Sequence, residues 1–126
     1  MEAALRACCK GIKIGKILVH RQHSDSSEVI YEKLPADISE RHVLLLDPLL
    51  STGHTAVKAI QVLKDRGVQE ERILFLTIIA APEGIVKVCS TFPSVRLLTS
   101  EIDDRLTEDY CLVPGAGNYG DRYFCE

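Results

Sequence analysis

A chain of 126 residues with 46% hydrophobic and 26% charged residues has the composition of one globular domain, long enough to bury a real core. The formal charge is -3 and the basic residues are scattered, which excludes the positive stripe of a protein that tracks DNA or RNA; no nucleic-acid partner is expected. The five cysteines show no CxxC or Cys/His metal spacing and are odd in number, and no window approaches the roughly 18 apolar residues of a membrane span, so a zinc site, a disulfide scaffold and a membrane partner are not expected either.

In chain order, Ala4, Leu5 and Cys8 share a face, which predicts a helix over 2–10 stopped at Gly11. It starts without a cap residue or a leading strand, so the fold is expected to begin upstream of Met1. A β-rich run at 14–20, a polar turn at 22–27 and a second run at 28–34 predict a hairpin or flap that Pro35 ends. The aliphatic run 43–46 reads as a strand buried on both faces. A Ser/Thr/Gly turn follows, then a helix with Val57, Ile60 and Leu63 on one face and Gly67 as its cap. A strand at 73–79, a helix at 83–89 and a strand at 95–98 complete an alternation that implies a parallel α/β sheet. No repeat, low-complexity tract or linker divides the chain, so 1–126 reads as part of one domain. Cys8, Cys89 and Cys111 are expected as small buried hydrophobes, in a reducing, cytoplasmic setting.

The chemistry concentrates after the strand at 43–46. Asp47 stands at its carboxyl end, followed by Pro48, Leu49, Leu50, Ser51, Thr52, Gly53, His54 and Thr55, where the turn opens the next helix. Ligands of open α/β sheets bind at that end of the strands. Unpaired N–H groups at a helix amino terminus point outward at the positive end of the dipole, so such a turn can wrap a phosphate. Gly53 permits close approach, Ser51, Thr52 and Thr55 add hydroxyls, and Asp47 can accept from sugar hydroxyls. The competing reading is that Ser-Thr-Gly only caps a helix. Neither a Walker A loop nor a GxGxxG fingerprint is present. In the tail 112–126, Pro114, Gly115, Gly117 and Gly120 mark a loop that turns sharply or approaches a partner closely.

The segment LLLDPLLSTGHT resembles the ribose-phosphate motif of type I phosphoribosyltransferases, in the Asp-Pro variant of uracil phosphoribosyltransferases. The tail PGAGNYGDRYF is similar to that family's uracil-recognition loop. The resemblance implies an α/β, parallel-sheet, Rossmann-like fold with a β-hairpin flap, N-terminally truncated relative to the family. It implies transfer of a phosphoribosyl group from 5-phosphoribosyl-1-diphosphate to uracil, giving UMP in pyrimidine salvage. Asp47 to Thr55 would bind the ribose and 5-phosphate, with Asp47 as the catalytic candidate, and Arg21 and Asn118 would also contact the phosphoribosyl substrate. Leu112, Gly117, Asn118 and Tyr119 would hold uracil. Mg²⁺ is expected with the diphosphate rather than at a dedicated protein site, and a homodimer is expected.

The sequence departs from the family at several places. Asn118 stands where an acid is usual, His54 replaces a common small residue, and Phe124-Cys125-Glu126 stands where the family has Phe-Gly-Thr. The family also carries an arginine and a diphosphate-binding turn upstream of the segment matching Met1. The opening MEAALRACCKGIKIGKILVHR and the motif GNYGDRYF look closest to the uridine kinase-like branch. That motivates a second expectation, a catalytically impaired module that only binds nucleotide or dimerises. The Asp-Pro variant and the PGxGxxGDRxF tail argue against a purine- or orotate-specific relative.

Overall fold

The computed structural model describes residues 1–21, 27–117 and 119–124. Helix α1 (Glu2–Cys8) ends earlier than expected: Cys9 is already extended, and the positive φ of Gly11 falls in the segment beyond. Seven residues are too few for an autonomous helix, and none of them is buried. Strands β1 (Lys16–Arg21) and β2 (Ser27–Lys33) pair antiparallel from Lys16 opposite Lys33 to Arg21 opposite Ser27, with an irregularity between Leu18 and Val19. This is the predicted hairpin. The expected turn at 22–27 lies almost wholly outside the described residues.

The centre of the domain is a parallel sheet. β3 (Val43–Leu46) pairs with β5 (Ile73–Ala80), and β6 (Arg96–Ile102) pairs with β5 over Leu74 to Ala80. Between them run α2 (His54–Asp65) and α3 (Pro82–Thr91), the strand–helix alternation the sequence implies. A two-residue strand, β4 (Leu49–Leu50), also pairs with β5, opposite Ile79 and Ala80. Because Val43 faces Ile73 and Leu49 faces Ile79, β3 and β4 are one strand in one register, interrupted at Asp47-Pro48. Proline has no N–H to give the ladder, which accounts for the break.

The core lies on one face of this sheet. Ile73 and Phe75, fully enclosed, share one cluster with Ile60 and Leu63 of α2, Val88 of α3 and Phe92 just past it. Burying a side chain such as Phe75 contributes about 1.5–3 kcal/mol. The hairpin packs against α2, and Arg66 just past that helix pairs with Glu32 of β2. Gly67 terminates α2 as predicted, with a positive φ and its N–H on the Lys64 carbonyl.

Two expectations need correction. The run 43–46 is covered on its core face only. Leu44 is 41% exposed, as are Ile78 (41%) and Leu98 (57%), because α2 and α3 join the same core cluster and leave the other side of the sheet open. Cys8 and Cys89 are exposed, on helix faces turned away from the core, and Cys111 is half-buried in the loop before the strand at Leu112–Val113. No described helix is long and apolar enough to cross a membrane.

Candidate functional site

In a parallel sheet the carboxyl ends of all strands share one edge. Here Leu50, Ala80 and Ile102 stand level across that edge, so the chain leaves β4 at Ser51 and β6 at Asp103 about 10 Å apart, two strand spacings. Both sequence motifs therefore emerge at the same end of the sheet.

The first motif begins at the break. The Pro48 carbonyl accepts the N–H groups of Ile78 (3.0 Å) and Ile79 (3.2 Å) and the hydroxyl of the buried Thr77 (3.2 Å), which holds the interruption firmly to β5. The Asp47 N–H reaches the Leu76 carbonyl at 3.1 Å. Burial pushes the Asp47 carboxyl up to about 6, against the opposing pull of the Leu49 N–H that donates to it. An acceptor of sugar hydroxyls suits this place, because hydroxyl donors would favour its ionised form.

Leu49 is half-buried and Leu50 is only 2% exposed, so the Leu50 side chain belongs to the core, and its carbonyl takes the Ala81 N–H. Neither leucine side chain is a polar contact for ligand. Ser51 and Thr52 follow, both half-buried, then Gly53, which has φ +84 and immediately precedes α2. Gly53 is the cap position of α2, and no side chain caps the helix there. The Val57 N–H is the first to reach back, to the Gly53 carbonyl at 2.9 Å.

Two contributors to this turn were not legible in the motif itself. A Cβ placed on Gly84 of α3 would stand 2.3 Å from the Ser51 carbonyl oxygen and 2.9 Å from Leu50 Cγ, so only glycine lets α3 seat against the turn. Gly53 reciprocates, its virtual Cβ lying 3.1 Å from the Gly84 carbonyl oxygen and 3.3 Å from Lys87 Cβ. This approach carries Lys87 over the turn, with its Nζ 2.8 Å from Nε2 of His54, while His54 Nδ1 is 3.0 Å from the Thr52 hydroxyl oxygen. At the end of β6, Asp103 is 6% exposed; among the described residues its Oδ2 has no hydrogen-bond partner, and its N–H donates to the Ala80 carbonyl at 2.9 Å.

The second motif is built on a small hairpin, β7 (Arg105–Leu106) with β8 (Leu112–Val113). Leu112 is buried at 4% exposure, and Val113-Pro114 is a cis peptide. Gly115 has φ +54, and an added Cβ would lie 2.0 Å from the Leu112 carbonyl oxygen, so the turn admits no side chain there. Gly117 is exposed, and the Ala116 carbonyl accepts from Arg122 at 2.9 Å. The tail does not stay a loop: Tyr119 begins a short helix, α4 (Tyr119–Phe124), and its ring stacks on Tyr123 with centroids 5.2 Å apart. Asn118 lies outside the described residues. Arg21 closes β1, and its side chain lies outside what is described.

Among the described residues no three of His, Cys, Asp and Glu come together as a metal site. A groove of about 460 Å³ runs between β2 and α2, lined by Tyr31, Glu32, Lys58 and Gln61 among others, and it includes none of the predicted site residues.

The comparisons with known proteins agree with this geometry. The sequence profile of uracil phosphoribosyltransferase matches residues 1–125. The chain is 59% identical over 124 residues to uridine kinase-like protein 4 of Arabidopsis thaliana, covering 98% of this chain and 26% of that protein. It is 52% identical over 126 residues to the uracil phosphoribosyltransferase of Saccharomyces cerevisiae, covering 99% of this chain and 58% of that one. The chain thus spans about a quarter of the first relative and under two thirds of the second. Among solved structures, the AQ2163 protein from Aquifex aeolicus is similar with a TM-score of 0.77 at 27% identity, over 89% of this chain and 53% of that chain. With both motifs at one edge of a type I phosphoribosyltransferase-like sheet and a profile spanning nearly every residue, this chain belongs to the uracil phosphoribosyltransferase family.

Proposed function

We propose that the protein acts in uracil phosphoribosyl transfer, uracil and 5-phosphoribosyl-1-diphosphate giving UMP and diphosphate. The observation that carries this reading is the glycine-led amino terminus of α2, which follows the buried carboxyl of Asp47 by one turn of chain. It stands at the sheet edge from which the Pro-Gly loop also emerges. In this reading the amides and hydroxyls of residues 51–55 hold the 5-phosphate, and Asp47 accepts from ribose hydroxyls. The backbone around Leu112 to Tyr119 reads the alternating carbonyl and N–H edge of uracil.

The reaction asks little covalent chemistry of the protein. As the bond from the anomeric carbon to diphosphate lengthens, positive charge builds on the ribose, while uracil N1 is held in line to form the new bond. A carboxylate beside the ribose favours that charge, and cations neutralise the leaving group. Arg21 is the proposed diphosphate contact, because a guanidinium meets phosphate oxygens bidentately. Mg²⁺ bound with the diphosphate would supply charge neutralisation to the leaving group.

A homodimer belongs to the same reading, supported by Leu18, Ile30 and Tyr31 of the hairpin, each half or more exposed. So does a reducing, cytoplasmic setting, supported by free thiols at Cys8, Cys9, Cys89 and Cys111. A second reading, nucleotide binding without turnover, is favoured by Asn118 in place of the family's usual acid. The test is formation of labelled UMP from labelled uracil and 5-phosphoribosyl-1-diphosphate with Mg²⁺. UMP synthesis supports the transferase, UMP binding without synthesis supports the second reading, and neither would remove both.

A further inference from the structure

We propose that Lys87 acts through His54 to fix the Thr52 hydroxyl as a donor toward the 5-phosphate, making Lys87 and His54 positioning residues of the phosphate turn. This rests on the reading above, in which the turn holds that phosphate.

An ammonium has donors and no lone pair, so the ring nitrogen it touches at 2.8 Å, Nε2 of His54, must accept. A neutral imidazole that accepts at Nε2 carries its proton on Nδ1. That N–H then donates to the Thr52 oxygen 3.0 Å away. The Thr52 hydroxyl, with a lone pair engaged by His54, keeps its own proton for an acceptor in the turn. The network therefore assigns one direction of donation, from Lys87 to His54 to Thr52 to ligand.

The arrangement depends on the packing of α3. Gly84 against Ser51, and Gly53 close enough to Lys87 that an added Cβ would lie 3.3 Å from its Cβ, bring the first two turns of α3 over the first turn of α2. A small residue at position 54, as is common in the family, has no ring to carry this link. Orienting a hydroxyl before ligand arrives spares the cost of ordering it on binding. The positive charge of Lys87 also stands one side chain away from the bound dianion, where it adds attraction without filling the cradle.

The experiment is calorimetry of UMP and uridine with wild-type protein, Lys87→Met, Lys87→Arg, His54→Ala and the double variant His54→Ala/Lys87→Met. A long-range ¹⁵N NMR measurement of the His54 tautomer accompanies it. Wild type should carry the Nδ1–H tautomer and bind UMP more tightly than uridine. Lys87→Met should lose the tautomer preference and about tenfold in UMP affinity, the size of one hydrogen bond to a charged group, with uridine changed less than about twofold. Lys87→Arg should recover most of the loss, and the double variant should lose no more than Lys87→Met alone, because both changes remove the same link. An Nε2–H tautomer in wild type, equal losses for UMP and uridine, or additive losses in the double variant overturn the relay while the phosphate-turn reading stands. A wild-type protein that binds UMP no better than uridine overturns that reading, and the relay with it.

Discussion

Gly84→Ala puts the seating of α3 to the test. The added Cβ would stand 2.3 Å from the Ser51 carbonyl oxygen and 2.9 Å from Leu50 Cγ, where ordinary contact begins near about 3.4 Å. The two backbones must part by roughly 1 Å, since a carbonyl oxygen cannot rotate aside as a flexible side chain can. Overpacking of this kind costs about 1–3 kcal/mol, and the better helix propensity of alanine returns up to about 1 kcal/mol. The expected net loss is about 1–2 kcal/mol, read as a fall in Tm of roughly 3–8 °C for a chain of this size. The functional loss should be larger. Moving Ser51 to Gly53 by about 1 Å from a phosphate is the scale of misplacement that costs about 100-fold in rate or a comparable share of binding. The assay pairs thermal unfolding with UMP affinity and UMP synthesis. Val86→Ala on the 66% exposed position of the same helix is the control, expected to change neither ligand binding nor turnover. A Gly84→Ala protein with wild-type UMP affinity and turnover would refute the claim that α3 sets the turn.

Asp47 supplies a pH prediction with a definite sign. Its folded value of about 6 lies above that of an ordinary aspartate, so the folded chain holds that proton more tightly than the unfolded one. The stability it contributes is complete below about pH 4 and lost as pH rises through about 6. Asp47→Asn should therefore be more stable than wild type at pH 7 to 8 in denaturant titrations, while losing about tenfold or more in UMP affinity. Wild-type affinity should fall below about pH 6 as the carboxyl takes its proton, and that part of the pH dependence should vanish in Asp47→Asn. A variant less stable than wild type at pH 8 would contradict the burial argument. Gly115→Ala should strain a φ of +54 and collide with the Leu112 carbonyl. Uracil affinity is expected to drop at least tenfold, and ribose 5-phosphate affinity to stay within about twofold, by calorimetry of each ligand separately.

How much of this was legible in the sequence depended on where the information sits. The apolar runs at 43–46 and 73–79, the helix beginning at His54 and the Asp47 to Thr55 turn are local patterns, and the structure has each of them. The break at Pro48 follows from a residue plainly visible in the sequence, yet its consequence, one strand in two pieces, needs the register against β5. Gly84 and Lys87 give no local signal. Each matters only because α3 lies against a turn some thirty residues earlier in the chain, a long-range contact that periodicity does not report. The exposure of Leu44, Cys8 and Cys89 likewise depends on which faces the helices cover. Helix α4 was missed because Gly120 and the glycines before it read as a turn, whereas the structure carries Tyr119 into a short helix with its ring on Tyr123.

The most direct test of the phosphate turn is an amide NMR titration of the protein with UMP. The account predicts the largest shifts at the first-turn amides of α2, Thr52 to Ala56, and at Gly115 to Gly117, with smaller ones at Gly84 and Lys87. Shifts confined to the groove between β2 and α2, around Tyr31 and Gln61, would contradict it.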